Sequence, residues 1–290
     1  MELNQLQYHW NGMGEEDPLF AVLTQPGKEQ NRWQREEFLE TGRRNIEAML
    51  KLISEHGLDV NRGRALDFGC AVGRLTQALC ENFDEVDGVD IAPSMLKVAR
   101  EWNQHGERCR YHLNEENSLK LFEDQSFDFI CTMITLQHMR PEYATNYIAE
   151  FARVLAPGGA LLFQIPDQLL AKPLVTQDAV TAASSSQTGF FQTLVGRLKK
   201  FWTSKTPPQS AMTAPPQPAT PSTFHMEMYC IPETDVVPLL QSLGLNVVCV
   251  TPNSWAGPHF ISKTYLAQRP LAVEGREPIS QSRSNLARAA

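Results

Sequence analysis

A short glycine-containing stretch between two acidic residues carries the strongest chemical signal in the sequence. Asp67 ends an apolar run, Gly69, Ala71 and Gly73 follow it, and Asp90 ends the next apolar run seventeen residues beyond Gly73. Small residues let the backbone approach a ligand closely, and a helix that begins after them offers free N–H groups. An acid at this distance can accept hydrogen bonds from ribose hydroxyls. The spacing predicts a site for a nucleoside-containing cofactor.

The glycine pattern separates two kinds of cofactor site. A dinucleotide site needs G-x-G-x-x-G, but the corresponding residues, Gly69-Cys70-Ala71-Val72-Gly73-Arg74, lack the second and third glycines. The pattern acid-x-G-x-(G/A)-x-G fits the stretch from Asp67 to Gly73. An NAD(P)-dependent oxidoreductase is therefore the less favoured alternative.

Four motifs occur in order along the chain: Leu66-Asp67-Phe68-Gly69-Cys70-Ala71-Val72-Gly73-Arg74, Val89-Asp90-Ile91-Ala92-Pro93-Ser94-Met95-Leu96, Ser126-Phe127-Asp128-Phe129-Ile130 and Arg153-Val154-Leu155-Ala156-Pro157-Gly158-Gly159. With them the sequence resembles the class I S-adenosylmethionine-dependent methyltransferases over about residues 35–170 and 224–268. The stretches Trp10–Leu23, Met226–Tyr229 and Asn253–Gly257 look similar to bacterial members from small-molecule and glycan pathways.

The resemblance implies S-adenosylmethionine as cofactor and assigns its contacts. The turn would wrap the methionine part with Asp67 near its ammonium group, Asp90 would hold the ribose, and residues after the second, third and fourth strands would meet the adenine and line the floor. Ala71 stands where many members have glycine, and we expect the loop to tolerate its methyl group. The implied cofactor residues are Asp67, Phe68, Gly69, Cys70, Ala71, Gly73, Arg74, Asp90, Ile91, Met95, Asn117, Ser118, Leu119, Thr132 and Met133.

His138 is the best-placed candidate for a catalytic base, because it follows the fourth strand directly. A hydroxyl acceptor has to lose a proton during methyl transfer, and histidine is the side chain that most often takes one. The alternative for His138 is a structural histidine satisfied by backbone contacts. His225 and Tyr229 precede the C-terminal helix and could line the acceptor pocket or serve packing alone.

The elements that must position these residues alternate between strands and helices. Such alternation predicts an α/β fold with a doubly wound, Rossmann-like sheet of seven strands. Only a short connection with Pro252, Gly257 and Pro258 joins the last two strands, which predicts a hairpin and an antiparallel last strand. The predicted strands are 64–68, 86–91, 109–113, 127–133, 160–165, 246–251 and 261–267, and helices are predicted within 32–57 and at 93–102, 142–155 and 233–243.

The composition divides the chain into four parts. Residues 1–34 are expected to form an N-terminal lid, and residues 35–170 with 223–270 the methyltransferase domain. Residues 171–222 are rich in Pro and Ser and read as a disordered or partly helical insertion, and residues 271–290 as a disordered tail. Within the insertion, residues 190–202 have the pattern of an amphipathic helix, which would be a lid or a peripheral membrane contact.

Charge and cysteine usage exclude several classes. The formal net charge of −7 argues against a nucleic-acid partner. The six cysteines have no CxxC pair or zinc-type spacing, so no metal site is expected, and the cytoplasm is the expected compartment.

The resemblance, taken with these residues, implies a methyltransferase that acts on a small molecule at oxygen, with a sugar or a lipid-linked glycan as candidate acceptors. The segment after the fourth strand, Cys131-Thr132-Met133-Ile134, lacks both the Asn- or Asp-Pro-Pro-Tyr motif of many amino-group methyltransferases and the Pro-Cys of cytosine-carbon enzymes. A protein that binds S-adenosylmethionine without catalysis is the other alternative.

Overall fold

The computed structural model describes residues 1–171 and 224–271. In the described residues the helices are α1 (Leu3–Glu16), α2 (Pro18–Val22), α3 (Arg35–Glu55), α4 (Arg74–Leu79), α5 (Pro93–Trp102), α6 (Pro141–Val154) and α7 (Glu233–Ser242). The strands are β1 (Arg64–Phe68), β2 (Glu85–Asp90), β3 (Cys109–Leu113), β4 (Phe127–Thr132), β5 (Leu155–Leu169), β6 (Asn246–Asn253) and β7 (Phe260–Gln268). The predicted helix at 190–202 lies outside the described residues.

The strands form one seven-stranded sheet in the order β3-β2-β1-β4-β5-β7-β6. The pairs from β3 across to β5 are parallel, and β7 is antiparallel to both of its neighbours. This arrangement confirms the predicted fold class and the predicted hairpin. The strand order reverses between β1 and β4, where open parallel sheets bind ligands beyond their carboxyl ends.

Alternating side chains divide the core between the two faces of the sheet. In β5, Leu161 and Phe163 pack with α6 and α7 on one face, and Ala160 and Leu162 pack with α3, α4 and α5 on the other. All four side chains are fully buried. A parallel sheet covered on both faces needs such continuous apolar strands, and the covering helices hold the strand ends in place.

The observed fifth strand is longer than predicted. The sequence predicts a turn at Pro157-Gly158-Gly159 and a strand from 160 to 165, whereas β5 runs from Leu155 to Leu169. Its pairing with β4 jumps from Phe127↔Leu155 to Phe129↔Ala160, so the turn residues form an irregularity inside the strand. Gly158 has a φ of +80°, which glycine tolerates, and its N–H donates to the carbonyl of Arg269 at 2.9 Å.

Candidate functional site

The turn after β1 approaches its neighbours more closely than a side chain would allow. Gly69 has a φ of +76°, and a Cβ added there would lie 2.3 Å from the Thr135 side chain. Gly73 has a φ of +80°, and a Cβ there would lie 2.2 Å from the Tyr111 hydroxyl. Both positions therefore need glycine for conformation and for space. The turn ends at α4, where the free N–H groups of the first helical residues lie.

Asp90, at the end of β2, holds the middle of this turn. Its Oδ2 accepts a hydrogen bond from the Ala71 N–H and its Oδ1 one from the Ala92 N–H, both at 2.8 Å. Ala71 has a φ of +46°, a left-handed conformation that is unfavourable for alanine. Burial raises the pKa of Asp90 and the two backbone donors oppose that rise. The carboxylate keeps lone pairs that can still accept from a ligand.

Asp67 and Arg74 are buried beside the turn. Asp67 Oδ2 accepts from the Thr76 hydroxyl at 2.7 Å, and burial raises its pKa to about 6. Arg74 donates from Nη1 to Asn45 Oδ1 at 2.5 Å and to Thr41 Oγ1 at 3.3 Å. Burial lowers the pKa of Arg74 to about 10, so it stays charged at neutral pH. Its buried Nε has no hydrogen-bond partner among the described residues.

One cavity of about 850 Å³ lies at the carboxyl ends of the strands. Most of the cofactor residues that the resemblance implies line it, and so do His138 and His225. The implied residues on its wall are Asp67, Phe68, Gly69, Cys70, Ala71, Arg74, Asp90, Ile91 and Met133.

Six implied residues do not line the cavity: Gly73, Met95, Asn117, Ser118, Leu119 and Thr132. Met95 is fully buried and packs against Ala71 and the other apolar residues beneath α1 and α3. Leu119 and Thr132 are fully buried as well. In this structure Met95, Leu119 and Thr132 are core residues, whereas Asn117 and Ser118 are partly exposed.

Asn114, which the sequence analysis did not select, lies on the wall instead of residues 117–119. It follows β3 directly, and its N–H donates to the carbonyl of Asp90 at 3.0 Å. Its side-chain amide donates to the carbonyls of Glu116 and Ser118 and to the Tyr147 hydroxyl, at 3.0 to 3.1 Å. The position at the carboxyl end of a parallel strand is the sequence signal that could have identified it.

His138 also lies on the cavity wall, in a short 3-10 helix from Leu136 to His138. Its Nδ1 lies 3.1 Å from the carbonyl oxygen of Glu227, and its Nε2 lies 3.2 Å from Nε2 of Gln137. Its ring and that of Trp10 form a T-shaped contact, with the ring centroids 5.5 Å apart. Burial lowers the pKa of His138 to about 4, so the ring is neutral at physiological pH.

The N-terminal helices cover the cavity. Asn11 of α1 accepts a hydrogen bond from the Ser94 N–H through its side chain, at 2.9 Å, and one from the Ser94 hydroxyl through its carbonyl, at 2.8 Å. Gln7 donates to the carbonyl of Ile91 at 3.0 Å. These contacts fix α1 beside the start of α5. Apolar side chains from this cover and from the segment after residue 224 line the cavity: Leu6, Trp10, Met13, Phe20, Phe224, Met226 and Met228.

His225 and Tyr229 have different positions. His225 lines the cavity, with its ring centroid 4.5 Å from that of His9 on α1. Tyr229 does not line the cavity; its N–H donates to the carbonyl of Gln137 at 2.8 Å, and its hydroxyl bonds Glu227.

Two global properties complete the description of residues 1–171 and 224–271. Within these ranges no group of three or more His, Cys, Asp or Glu side chains is arranged to hold a metal ion. None of the helices there combines the length and the apolar composition needed to cross a bilayer.

Comparisons with known proteins agree with this geometry. Residues 65–159 match the methyltransferase domain family. A ubiquinone biosynthesis O-methyltransferase of Xanthomonas oryzae pv. oryzae is 34% identical over 108 residues, which cover 36% of this chain and 43% of that protein. One of Xylella fastidiosa is 33% identical over 109 residues, covering 37% and 44%. The chain thus spans less than half the length of these relatives.

Solved structures share the fold at low sequence identity. Magnesium protoporphyrin IX methyltransferase from Synechocystis superposes with a TM-score of 0.54 at 14% identity, covering 91% of this chain and 98% of that one. Phosphoethanolamine N-methyltransferase 1 from Haemonchus contortus gives 0.56 at 14% identity, covering 95% and 50%. Residues 65–159 thus match the methyltransferase domain family, and the described residues have the fold of the class I S-adenosylmethionine-dependent methyltransferases.

Proposed function

We propose that this protein transfers a methyl group from S-adenosylmethionine to an oxygen atom of a small-molecule acceptor. The observation that carries the proposal is the turn from Gly69 to Gly73 beside Asp90, which opens on the same cavity as the neutral His138. The two comparisons by sequence support the choice of oxygen, because both relatives are named as O-methyltransferases.

The residues present fit S-adenosylmethionine. Gly69 and the small Ala71 lie on the cavity wall, Asp90 keeps lone pairs for ribose hydroxyls, and the buried Nε of Arg74 lacks a partner among the described residues. Asp67 supplies a negative charge above its pKa of about 6. The bound cofactor would supply an electrophilic methyl group on a sulfonium. We assign its contacts to the implied residues on the wall, with Asn114 added beside Asp90.

Two alternative functions remain for the experiment to exclude. An NAD(P)-dependent oxidoreductase would need glycines where Ala71 and Arg74 stand. A protein that binds the cofactor without catalysis would not need the second, apolar half of the cavity formed by α1, α2 and residues 224–228.

The acceptor would lie in that apolar half. Trp10, Met13 and Phe20 come from the N-terminal helices, and Met226 and Met228 from the segment before α7. Such a pocket holds the apolar part of a ligand and leaves a few polar groups to orient it. A sugar with an apolar face or the lipid-proximal part of a lipid-linked glycan suits these walls, and both remain our candidate acceptors.

The chain's own contribution to the reaction is positioning and proton removal. Holding the acceptor oxygen in line with the methyl group supplies much of the rate enhancement. His138 is neutral and lies on the cavity wall, so it can take the hydroxyl proton. The T-shaped contact with Trp10 helps to keep this ring in place.

A panel of hydroxyl-bearing acceptors incubated with methyl-labelled S-adenosylmethionine tests the proposal. We expect label transfer by the wild type and a rate about 10²- to 10⁴-fold lower for His138→Ala, with cofactor affinity unchanged. His259→Ala is the matched control, because His259 is exposed and lies outside the cavity. Cofactor binding without transfer to any acceptor would favour the non-catalytic alternative.

A further inference from the structure

A chain of buried amide side chains leads from the sheet to His138. In β5, Gln164 donates from Nε2 to Oε1 of Gln137 at 3.1 Å and to the hydroxyl of Ser262 in β7 at 2.5 Å. Nε2 of Gln137 then lies 3.2 Å from Nε2 of His138. Gln164 and Ser262 are fully buried, and Gln137 is 3% exposed. No water is needed to connect the sheet to the imidazole.

Backbone groups at its two ends fix the direction of this chain. The Ile134 N–H can only donate, and it bonds Oε1 of Gln164 at 3.0 Å. Gln164 must therefore present its NH₂ to Gln137, which in turn presents its own NH₂ to His138. At the other end the Glu227 carbonyl can only accept, so Nδ1 of His138 must carry the hydrogen. All four bonds agree on one orientation, which removes the usual ambiguity of amide and imidazole assignment.

The backbone conformation of Ile134 is independent evidence that surrounding contacts hold this hydrogen-bonded arrangement in place. Its φ of +60° is unfavourable for a β-branched residue, and such a conformation costs about 1–3 kcal/mol. The residue lines the cavity. Strained positions persist where surrounding contacts hold them, and the bond from its N–H to Gln164 is such a contact. Gln164 thus stabilises the backbone at Ile134 on the cavity wall and also takes part in the hydrogen bonds that lead to His138.

We propose that Gln137 and Gln164 are positioning residues that hold His138 as the neutral Nδ1–H tautomer, with Nε2 as its proton-accepting atom at the cavity wall. The link to catalysis rests on the proposed function, because it requires His138 to act on an acceptor hydroxyl. Nε2 is held by the Gln137 amide until an acceptor hydroxyl replaces it. A fixed tautomer spares the reaction the reorientation of the base.

Titratable and charged groups surround His138 on the neighbouring elements, and the tested variants leave all of them unchanged. Those at and before α1 are the Met1 ammonium, Glu2, Tyr8, His9, Glu15 and Glu16, and those at the start of α6 and in the segment before α7 are Arg140, Glu142, Tyr143, His225, Glu227 and Tyr229.

NMR of the full chain labelled with ¹⁵N-histidine tests the proposal, with the His138 signals assigned by their loss in His138→Gln. We expect the wild type to show a neutral Nδ1–H ring at pH 7. Gln137→Met removes the donor to Nε2, which favours the neutral ring, so the pKa of His138 should rise by about one unit. Gln164→Met removes the donor to Oε1 of Gln137, so the Gln137 amide can rotate by about 180°. The pKa of His138 should therefore rise in this variant as well.

Gln77→Met is the matched control. Gln77 is a glutamine of α4 that is only 5% exposed, and it takes no part in the hydrogen bonds that connect Gln164 to His138. It should leave the His138 titration unchanged. A wild-type proton on Nε2 at pH 7, or an unchanged titration in folded Gln137→Met, would overturn the proposal. If Gln164→Met does not fold, the wild-type spectrum and Gln137→Met still decide.

Calorimetric titration with S-adenosylmethionine separates this inference from the proposed function. Absence of binding by the wild type would refute the proposed function and leave the tautomer result standing. Binding together with the wrong tautomer would refute the positioning role alone.

Discussion

Asp90 shapes the turn and also faces the cavity. Each of its oxygens accepts one backbone N–H at 2.8 Å, from Ala71 and from Ala92. A carboxylate offers about four acceptor sites, so about two remain for a ligand. One substitution at this residue should therefore affect both the loop and the ligand.

Asp90→Asn should lower the affinity for S-adenosylmethionine about 10- to 100-fold. The change removes a charged acceptor worth about 1.5–3 kcal/mol and places an NH₂ group against a backbone N–H. Calorimetry of the folded variant measures the loss. Asp84→Asn serves as control, because that side chain is exposed and away from the cavity. Equal affinities of wild type and Asp90→Asn would remove Asp90 from the cofactor site.

Ala71→Gly should stabilise the protein by up to about 1 kcal/mol. A left-handed conformation costs alanine about 1–2 kcal/mol, and the greater chain entropy of glycine offsets part of the gain. Urea unfolding provides the measurement. Ala48→Gly in the interior of α3 is the contrasting control, which should destabilise by about 1 kcal/mol. A loss of stability in Ala71→Gly would mean that the methyl group packs favourably in the turn.

Two glycines let α1 approach its neighbours. A Cβ at Gly14 would lie 2.3 Å from the Ser94 hydroxyl, and a Cβ at Gly12 would lie 2.1 Å from the Phe224 ring. The helix therefore fits between α5 and the segment before α7. Its position over the cavity depends on this close packing together with the Asn11 contacts.

Gly14→Leu should displace α1 from α5 and expose residues 1–34 to protease. Overpacking of this kind costs about 1–3 kcal/mol, and the helix can relieve the clash by leaving the surface. Limited proteolysis followed by mass spectrometry detects the cleavage. Glu15→Leu adds the same side chain at the next, exposed position and should leave cleavage unchanged. Full protection of Gly14→Leu from the protease would show that α1 can shift without exposing residues 1–34.

The elements were predictable where local patterns decide them. β1, α5 and β3 have the predicted bounds, because Gly69 follows β1, Pro93 begins α5 and the polar Asn114 follows β3. β5 was mispredicted because Pro157-Gly158-Gly159 has turn composition, whereas pairing with β4 and β7 carries the strand through it. Tertiary pairing overrode the local signal there.

The site, like the elements, was predictable from the sequence only where local patterns determine it. The Gly69 turn and Asp90 follow from spacing within about twenty residues, and the structure places both at the cavity. The chain to His138 joins β5 to β7, with Gln164 and Ser262 98 residues apart in sequence. No local period encodes such a contact, since sheet pairing alone brings the two side chains together.

At the scale of the whole molecule, one buried aspartate connects three neighbouring strands of the sheet through hydrogen bonds. Asp87 of β2 is fully buried and bonds Arg64 of β1, at 2.8 Å, and Arg110 and His112 of β3, at 3.0 and 2.7 Å. Burial by itself raises the pKa of Asp87, but these donors together hold it well below the usual range. The charge is therefore retained on folding.

Asp87→Asn should reduce the free energy of unfolding by about 3 kcal/mol at pH 7. That is the low end for breaking a buried ion pair, because both arginines are about one-third exposed. A carboxyl with a lowered folded pKa stabilises above its unfolded pKa of about 3.9 and loses that contribution as pH falls towards the folded pKa. The difference between wild type and variant should therefore shrink below about pH 4.

Urea unfolding at pH 7 and at about pH 3.5 checks this prediction. Asp124→Asn is the control, since Asp124 is 70% exposed and its pair with Arg153 should contribute less than about 1 kcal/mol. A difference that stays constant between the two pH values would show that the charge of Asp87 is not what ties the strands.

Calorimetric titration of the full chain with S-adenosylmethionine, beside an identical titration with NADH, tests the central claim most directly. We predict saturable binding of one S-adenosylmethionine per chain, which Gly69→Val should abolish because its side chain would meet Thr135. NADH should produce no binding heat. Binding of NADH without S-adenosylmethionine, or undiminished S-adenosylmethionine binding by Gly69→Val, would contradict the assignment of this turn as the cofactor site.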